Sequence, residues 1–577
     1  MSLSQSYLVQ PGYYDMVASV TQKALNNAIE TYYDDTHTFS AVSFYFINNG
    51  GTPLQVALSG IKDVTTGVSI DVDPLSGTAK LPLTQAQINT IKSSNLWFAF
   101  NMYIGNPAGY SAAKYLTINP GINAVDYYLL CRTLHVAFWN PDKSTWTDIL
   151  QTAKEEFNIN ATVNLQTVIS SNNITEIVQN GIDYIMSTYN LSSTDLNIQQ
   201  LLFDADSAVV SPSGTLTGLD SSCSVFIPLM QQFAKSYFST YLAQAPALDY
   251  AVTQTNTSSL LPTSMSLFAG AFVDSKGNAI TNPTEDQQDL ATLNYLFSTG
   301  GEALNAGKQF NWNFLDDNGT SHNPDLDTNA DVNKYDGAIA IKRDAFAKYL
   351  DSQLQSYVLG NCWTPVISVG ADPVLQYEYD VDIKCDTYAS FYGLQQFDET
   401  QVMMGSPDTL VLYLHTATDS ATGWSADDTM KVTTHFQLMV DVDTTKQTLT
   451  VTQNLWISVA ATGNPKVEDH TPYNGSPVYK TFTDTFSFVV DQGGNMCLTN
   501  TNSQVQDTSD KPANIPQYVS DALSRWVAWI DAADFKQLPV IMPIQFVFPG
   551  GNAFTFKDAQ FSDTSDLVCH IKYLAES

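Results

Sequence analysis

The sequence predicts an α+β protein of two halves, each a helix followed by a long antiparallel sheet and then by further helices. Three observations carry that reading. The segment YDGAIAIKRDAFAKYL (Tyr335 to Leu350) is written once before, as YDMVASVTQKALNNAI from Tyr14 to Ile29: Tyr-Asp opens both, small and apolar residues follow, and an amphipathic run closes each. Long stretches beyond the second copy alternate apolar and polar side chains with period two, as strands with one wet face do. The chain's 577 residues exceed one ordinary core, and its hydrophobic residues (44%) and aromatics (12%) suffice for two.

Each copy reads as a turn or short strand feeding a helix. In the first, Val17, Val20, Ala24, Ala28, Ile29 and Tyr32 recur at three- and four-residue steps. ITEIVQNGIDYIMSTY and FIPLMQQFAKSYFSTYL predict helices late in the first half. The polar, turn-rich run from Leu315 to Gly337 is the expected junction, with the boundary between 325 and 333 and halves of 1–328 and 329–577. In the second copy Phe346, Tyr349, Leu350, Leu354, Tyr357 and Val358 form the stripe, and Gly360 stands where a helix C-terminus favours glycine.

From Val374 to Asp386, VLQYEYDVDIKCD places Leu375, Tyr377, Tyr379, Val381, Ile383 and Cys385 on one side and its charged residues on the other. FQLMVDVDTTKQTLTVTQNLWISV and TFSFVVDQGGNMCL each predict two strands joined by a turn. The polar stretches 420–430 and 499–515 read as surface loops. VSDALSRWVAWIDAADF predicts a helix whose stripe (Leu523, Trp526, Val527, Ile530) packs on a sheet.

Charge narrows the partners. Asp plus Glu number 58 against 25 Lys plus Arg, a net charge of −33. Such a surface repels phosphate backbones and anionic lipid heads, so no nucleic-acid role is expected. Acidification toward carboxylate pKa values removes the repulsion, and self-association there is the physical expectation. No stretch reaches the roughly 20 apolar residues of a membrane span, and MSLSQSYLVQPGYY lacks a signal-peptide pattern. The expectation is a cytoplasmic location or an internal compartment such as a vacuole. Cys131, Cys223, Cys362, Cys385, Cys497 and Cys569 lie far apart without metal spacing, and read as buried thiols or, in an oxidising compartment, as intermolecular links. Asn160, Asn173, Asn190, Asn256 and Asn318 head glycosylation sequons.

No phosphate loop, dinucleotide fingerprint, HExxH or GxSxG signature occurs, and the histidines (His37, His135, His322, His415, His435, His470, His570) stand apart from one another. The sequence predicts a protein that is not an enzyme. Its best constellation is at the junction: Asp325, Asp327, Asn329 and Asp331 have the spacing of calcium-loop donors, with Asp336 where the last carboxylate falls. Ala330 replaces the glycine such a loop turns on, so the run reads either as a solvated linker or as a Ca²⁺ site.

The Tyr-Asp repeat, FVDSKGNAITNPTEDQQDLATLNYL (Phe272 to Leu296) and FVFPGGNAFTFKDAQFSDTSDLVCHIKY (Phe546 to Tyr573) resemble fungal and bacterial relatives of the forty-seven-kilodalton protein of clostridial neurotoxin gene clusters. That family is similar to the tubular lipid-binding (TULIP) superfamily. The resemblance implies two TULIP-like repeats, each a long twisted antiparallel sheet wrapped around an amphipathic helix, and no catalytic residues. It implies a non-enzymatic binding protein holding lipid or another apolar ligand between helix and sheet. The composition also accommodates a self-assembling structural or storage protein forming ordered bodies, its assembly promoted by acidic pH, cations or intermolecular disulfides.

Overall fold

The computed structural model describes residues 8, 15–34, 41–77, 82–104, 115–122, 124–150, 157–167, 196–203, 209–214, 250–254, 264–272, 279–298, 335–371, 377–385, 390–393, 409–423, 426–463, 471–490, 496–532, 544–547, 554–562 and 564–573. It is mostly antiparallel sheet, with five helices among the described residues. In chain order the first half has β1 (Met16–Thr21), α1 (Gln22–Asp34), β2 (Val42–Asn49), β3 (Thr52–Val56), α2 (Gln85–Ser93), β4 (Leu96–Ile104), β5 (Leu116–Asn119), β6 (Ala124–Asn140), β7 (Thr145–Leu150), β8 (Phe157–Thr167), β9 (Leu196–Phe203), β10 (Val209–Gly214), β11 (Tyr250–Gln254), β12 (Ser264–Gly270), α3 (Glu285–Asp289) and β13 (Thr292–Ser298). The second has β14 (Gly337–Ile341), α4 (Arg343–Gly360), β15 (Trp363–Ala371), β16 (Tyr377–Cys385), β17 (Ser390–Gly393), β18 (Thr409–Thr422), β19 (Thr429–Asp443), β20 (Thr448–Ala461), β21 (Tyr473–Val490), β22 (Met496–Asp507), α5 (Gln517–Ala532), β23 (Ile544–Val547), β24 (Phe554–Phe561) and β25 (Leu567–Tyr573).

The two copies of the sequence repeat meet in one six-stranded sheet, the hub, in the order β12-β13-β1-β14-β25-β24. β1 and β14 are its central pair, antiparallel, with Ala18 opposite Ile339. Those residues hold the same place in the two copies, so a pseudo-twofold axis passes between them. The flanking bonds obey it: Thr21 N–H donates to the Asp336 carbonyl (3.0 Å) and Lys342 N–H to the Asp15 carbonyl (2.8 Å). All five residues of β14 are buried, as are all six of β1. Apolar runs without alternation suit strands covered on both faces. Gly337 is needed here because a Cβ would overlap the Ser19 carbonyl oxygen of β1.

Each central strand runs straight into its helix. β2 to β11 with β23 form an eleven-stranded sheet, whose main path is β23-β11-β9-β8-β6-β4-β2-β3. The second half builds a meander, β17-β18-β19-β20-β21-β22, and the pair β15-β16 packs on β18 and β19. Along β19 and β20 every second residue is buried, on the side that faces α4 and the β15–β16 pair. Tyr379 and Val381 are buried and Glu378, Asp380 and Asp382 exposed, the alternation the sequence predicts for that strand.

Three expectations are corrected. Val17 and Val20 belong to β1, and the helix begins at Gln22. Residues 499–507 belong to strand β22, and of the stretch 420–430 residues 420–422 end β18 and 429–430 begin β19. Gly360 closes α4 from inside, with Asn361 as its cap. The helices expected at ITEIVQNGIDYIMSTY and FIPLMQQFAKSYFSTYL lie outside the described residues.

Candidate functional site

The seam between helix and sheet differs in the two halves. α4 turns Phe346, Tyr349, Leu350, Leu354 and Val358 inward, all buried, into one cluster with Val411, Tyr413, Phe436, Leu438 and Leu455 of the meander. At its first turn Phe346 meets Phe488 and Phe561 at ring separations of 6.2 Å each. Two hydrogen bonds cross the seam: Tyr357 OH donates to Gln453 Oε1 (2.6 Å), and Tyr413 OH donates to the Asp351 carboxylate. This seam is filled by the chain's own side chains.

In the first half the inner sheet face is an aromatic ladder whose Phe46, Phe98 and Phe100 are buried in the same cluster. Phe44 lies opposite Phe100 and Phe46 opposite Phe98, stacked at 5.1 and 4.7 Å, with Phe138 beside Phe98 at 5.7 Å. Such pairs form because β2 and β4 align with the same side-chain parity. α1 packs on β1, β5 and α3. Its amides lock β5: Asn26 Oδ1 accepts from Tyr115 N–H (2.7 Å) and Leu116 N–H (2.8 Å), Asn26 Nδ2 donates to the Leu116 carbonyl (2.9 Å), and Gln22 Oε1 accepts from Ile118 N–H (2.8 Å). The opposite face of β2, β4 and β6, with Tyr45, Leu96 and Trp139, is covered by residues 57–77 and 82–95, with Ile61 and Ile91. Burial first, then Asp73 whose carboxylate accepts the Tyr45 hydroxyl at 3.1 Å, pushes the Tyr45 phenol up to about 12.

The hub carries a buried polar group. Tyr335, which opens the second repeat, stacks on His570 at 4.1 Å and donates its hydroxyl to Asp558 Oδ2 at 2.5 Å. His570 Nδ1 lies 2.5 Å from Asp558 Oδ1, and its buried Nε2 has no partner. Beside it Ser19 Oγ donates to Asn294 Oδ1 at 2.5 Å. On the sheet's other face Cys569 is fully buried, and burial pushes its thiol well up, making it a poor nucleophile. At the N-terminus of α4, Asp566 Oδ1 accepts from Arg343 N–H (3.0 Å), and its Oδ2 accepts from Thr564 Oγ1 (3.0 Å).

The sequence-predicted cation loop is described only at its end. Asp325, Asp327, Asn329 and Asp331 lie outside the described residues; Asp336 immediately precedes the hub strand β14, its N–H donating to the Ile571 carbonyl (2.9 Å). Among the described residues, no group of three or more His, Cys, Asp or Glu is placed to hold a metal. Cys362 and Cys569 are buried free thiols and Cys497 a half-buried one. His415 is a core histidine bonded to the Trp363 carbonyl at 3.1 Å, and His435 stacks on Trp456 at 4.4 Å. Sequence reading missed the Tyr335–Asp558–His570 group because Tyr335 stands far from the other two in the chain; the shared closing segment of Asp558 and His570 was the available signal.

No protein-family model matches this chain, and no curated protein matches it. Among solved structures it is similar to P47 from Clostridium botulinum A2 (TM-score 0.39, 10% identity, covering 98% of this chain and 99% of that one). It is similar to P47 of Clostridium botulinum E1 (0.39, 10%, 97% and 99%). A lipopolysaccharide binding protein aligns at TM-score 0.29 and 9% identity, covering 98% of this chain and 100% of that one. No helix among the described residues is long and apolar enough to cross a membrane.

Proposed function

We propose that the chain is a non-enzymatic binding protein of two TULIP-like repeats, 1–328 and 329–577, that holds lipid or another apolar ligand along the first-half seam. One observation carries the reading: the inner face of β2 and β4 is an aromatic ladder, while the helix of that half, α1, packs on β1, β5 and α3. α1 has 13 residues, about 20 Å at the helical rise. β4, the longer ladder strand, has 9 residues, about 30 Å at the strand rise. α4, with 18 residues, packs along its meander with two crossing hydrogen bonds, and no ligand is needed to complete that seam. An apolar chain against the partly buried Phe44 and Phe138, at the rim of the buried Phe46, Phe98 and Phe100, would be held by burial of its methylenes, each contributing about 0.8 kcal/mol.

Native mass spectrometry of the purified chain tests this. The expected result is extra mass of a few hundred daltons per chain, lost on denaturation and recovered in organic solvent; a bare native mass overturns the reading. The junction carboxylates enter only as a Ca²⁺ loop, for which calcium calorimetry is the assay.

A second reading, a self-assembling structural protein, is favoured by the filled second-half seam, which leaves that half's outer surfaces as its means of contact. Acidic pH, cations or links through a half-buried thiol such as Cys497 would promote it.

A further inference from the structure

The outermost strand of the meander is unlike the other sheet edges. β22 pairs with β21 on one side and, among the described residues, ends the sheet on the other. It has 12 residues, whereas the edge strands β3, β12, β17, β23 and β24 have 5, 7, 4, 4 and 8, and β15 and β16 of the two-stranded sheet 9 each. Residues 501–508 are exposed, and Val505 keeps 63% of its surface. An antiparallel edge strand points the N–H and C=O of alternate residues away from its sheet, a template for another strand.

Edges are ordinarily protected by Lys, Pro or inward charge. β24 carries Lys557 and Asp558, and β3 carries Pro53. From Gln492 to Gln506 the chain holds no charged residue and no proline. In a molecule of net charge −33 most surfaces oppose a second copy. This edge does not. A bulge at Thr501, between the pairs Thr485–Asn502 and Phe486–Asn500, leaves Asn502 to Asp507 as its straight part.

We propose that β22 is a homodimer surface: it pairs antiparallel with β22 of a second copy about a twofold axis at Gln504, joining two six-stranded meanders into one sheet. That register sets Asn502 against Gln506, Gln504 against itself and Asp507 against Thr501. Amides then face amides on the outer side, and the two Asp507 carboxylates stay apart. Pairing centred on Asp507 would set like charges opposite, which destabilises. The axis closes the assembly, because a twofold contact uses the same patch on both copies. This deepens the assembly reading and rests on it, independently of any ligand in the first-half seam.

Sedimentation equilibrium of the full chain at neutral pH tests it, with Gln504→Lys as the decisive variant. Gln504 is exposed, so the substitution spares the β21 pairing, and an unchanged unfolding midpoint verifies that. The expected result is a concentration-dependent dimer that added salt and mild acid strengthen, since both reduce repulsion between copies. Gln504→Lys, which sets two lysines together at the axis, weakens it at least tenfold, about 1.4 kcal/mol. Gln504→Cys in a Cys497→Ser background links 504 to 504 when oxidised glutathione accepts the electrons. A dimer that Gln504→Lys leaves intact removes this edge while assembly stands; a monomer at every concentration, down to mildly acid pH, removes both.

Discussion

At the residue scale the recurring device is a tyrosine hydroxyl donated to a carboxylate. Tyr45 meets Asp73, Tyr335 meets Asp558, Tyr413 meets Asp351, and Tyr473 donates to Asp510 at 2.5 Å. With 58 acidic residues against 25 basic ones, the acids outnumber the available cations, and neutral O–H donors take that place. Burial first, then the carboxylate, pushes the Tyr413 and Tyr473 phenols far up, as it does Tyr45 to about 12. These phenols bind protons in the fold that the unfolded chain has released, so their stabilisation is fully present below pH 10 and lost as pH rises through the folded values. Stability measured by denaturant titration is therefore expected to fall between pH 10 and about 12, with tyrosinate absorbance lagging behind that of free tyrosine. Tyr413→Phe should cost about 1.5–3 kcal/mol at neutral pH, the range for a hydrogen bond to a charged group; a loss below 0.5 kcal/mol would mean water replaces the hydroxyl. Composition announced the shortage of cations. It could not announce the pairs, whose members stand 28 to 223 residues apart.

At the element scale the two helices that follow the repeat are anchored by different chemistry at matching places. Gln22 and Arg343 are equivalent first residues. Gln22 N–H donates to the Ala291 carbonyl (2.8 Å), whereas Arg343 N–H donates to the Asp566 carboxylate. Lys342 makes no side-chain cap, so Asp566 serves as a tertiary one, favoured by the positive end of the helix. Asp566→Ala is expected to destabilise by about 1–3 kcal/mol. Asp566→Asn, keeping an acceptor, should recover part of it, and equal losses would refute the capping role. The strand-then-helix order of both copies was legible in the sequence because small residues precede an amphipathic run. Two boundaries were not. Val17 and Val20 fit a helical stripe by spacing, since short apolar runs carry both periods, and the hub's pairing decides for strand. The start of β22 at MCL was legible, but beyond Leu498 it has too few apolar residues to show its length; Asn500 and Ser503, bonded at 3.0 and 2.5 Å to buried Asp484, hold it to β21.

At the scale of the whole molecule the hub couples the halves. β1 and β14 open the two copies of the repeat, far apart in the chain, yet share a ladder, and β23, late in the chain, pairs with β11 of the eleven-stranded sheet. Main-chain bonds at the dyad run in both directions, Thr21 to Asp336 and Lys342 to Asp15. Neither half can lose its central strand without exposing the other's, because the five residues of β14 and six of β1 are all buried. Unfolding is therefore expected to be one cooperative transition, in contrast to chains whose domains unfold separately. Gly337→Val tests the coupling at its narrowest point: the added Cβ meets the Ser19 carbonyl, and such overpacking costs about 1–3 kcal/mol. Hydrogen exchange should then quicken together in β4 of the first half and β20 of the second, since both open through the same hub. Faster exchange in β20 alone, or two resolved calorimetric transitions, would show that the halves fold independently and that the dyad is a contact rather than a shared core.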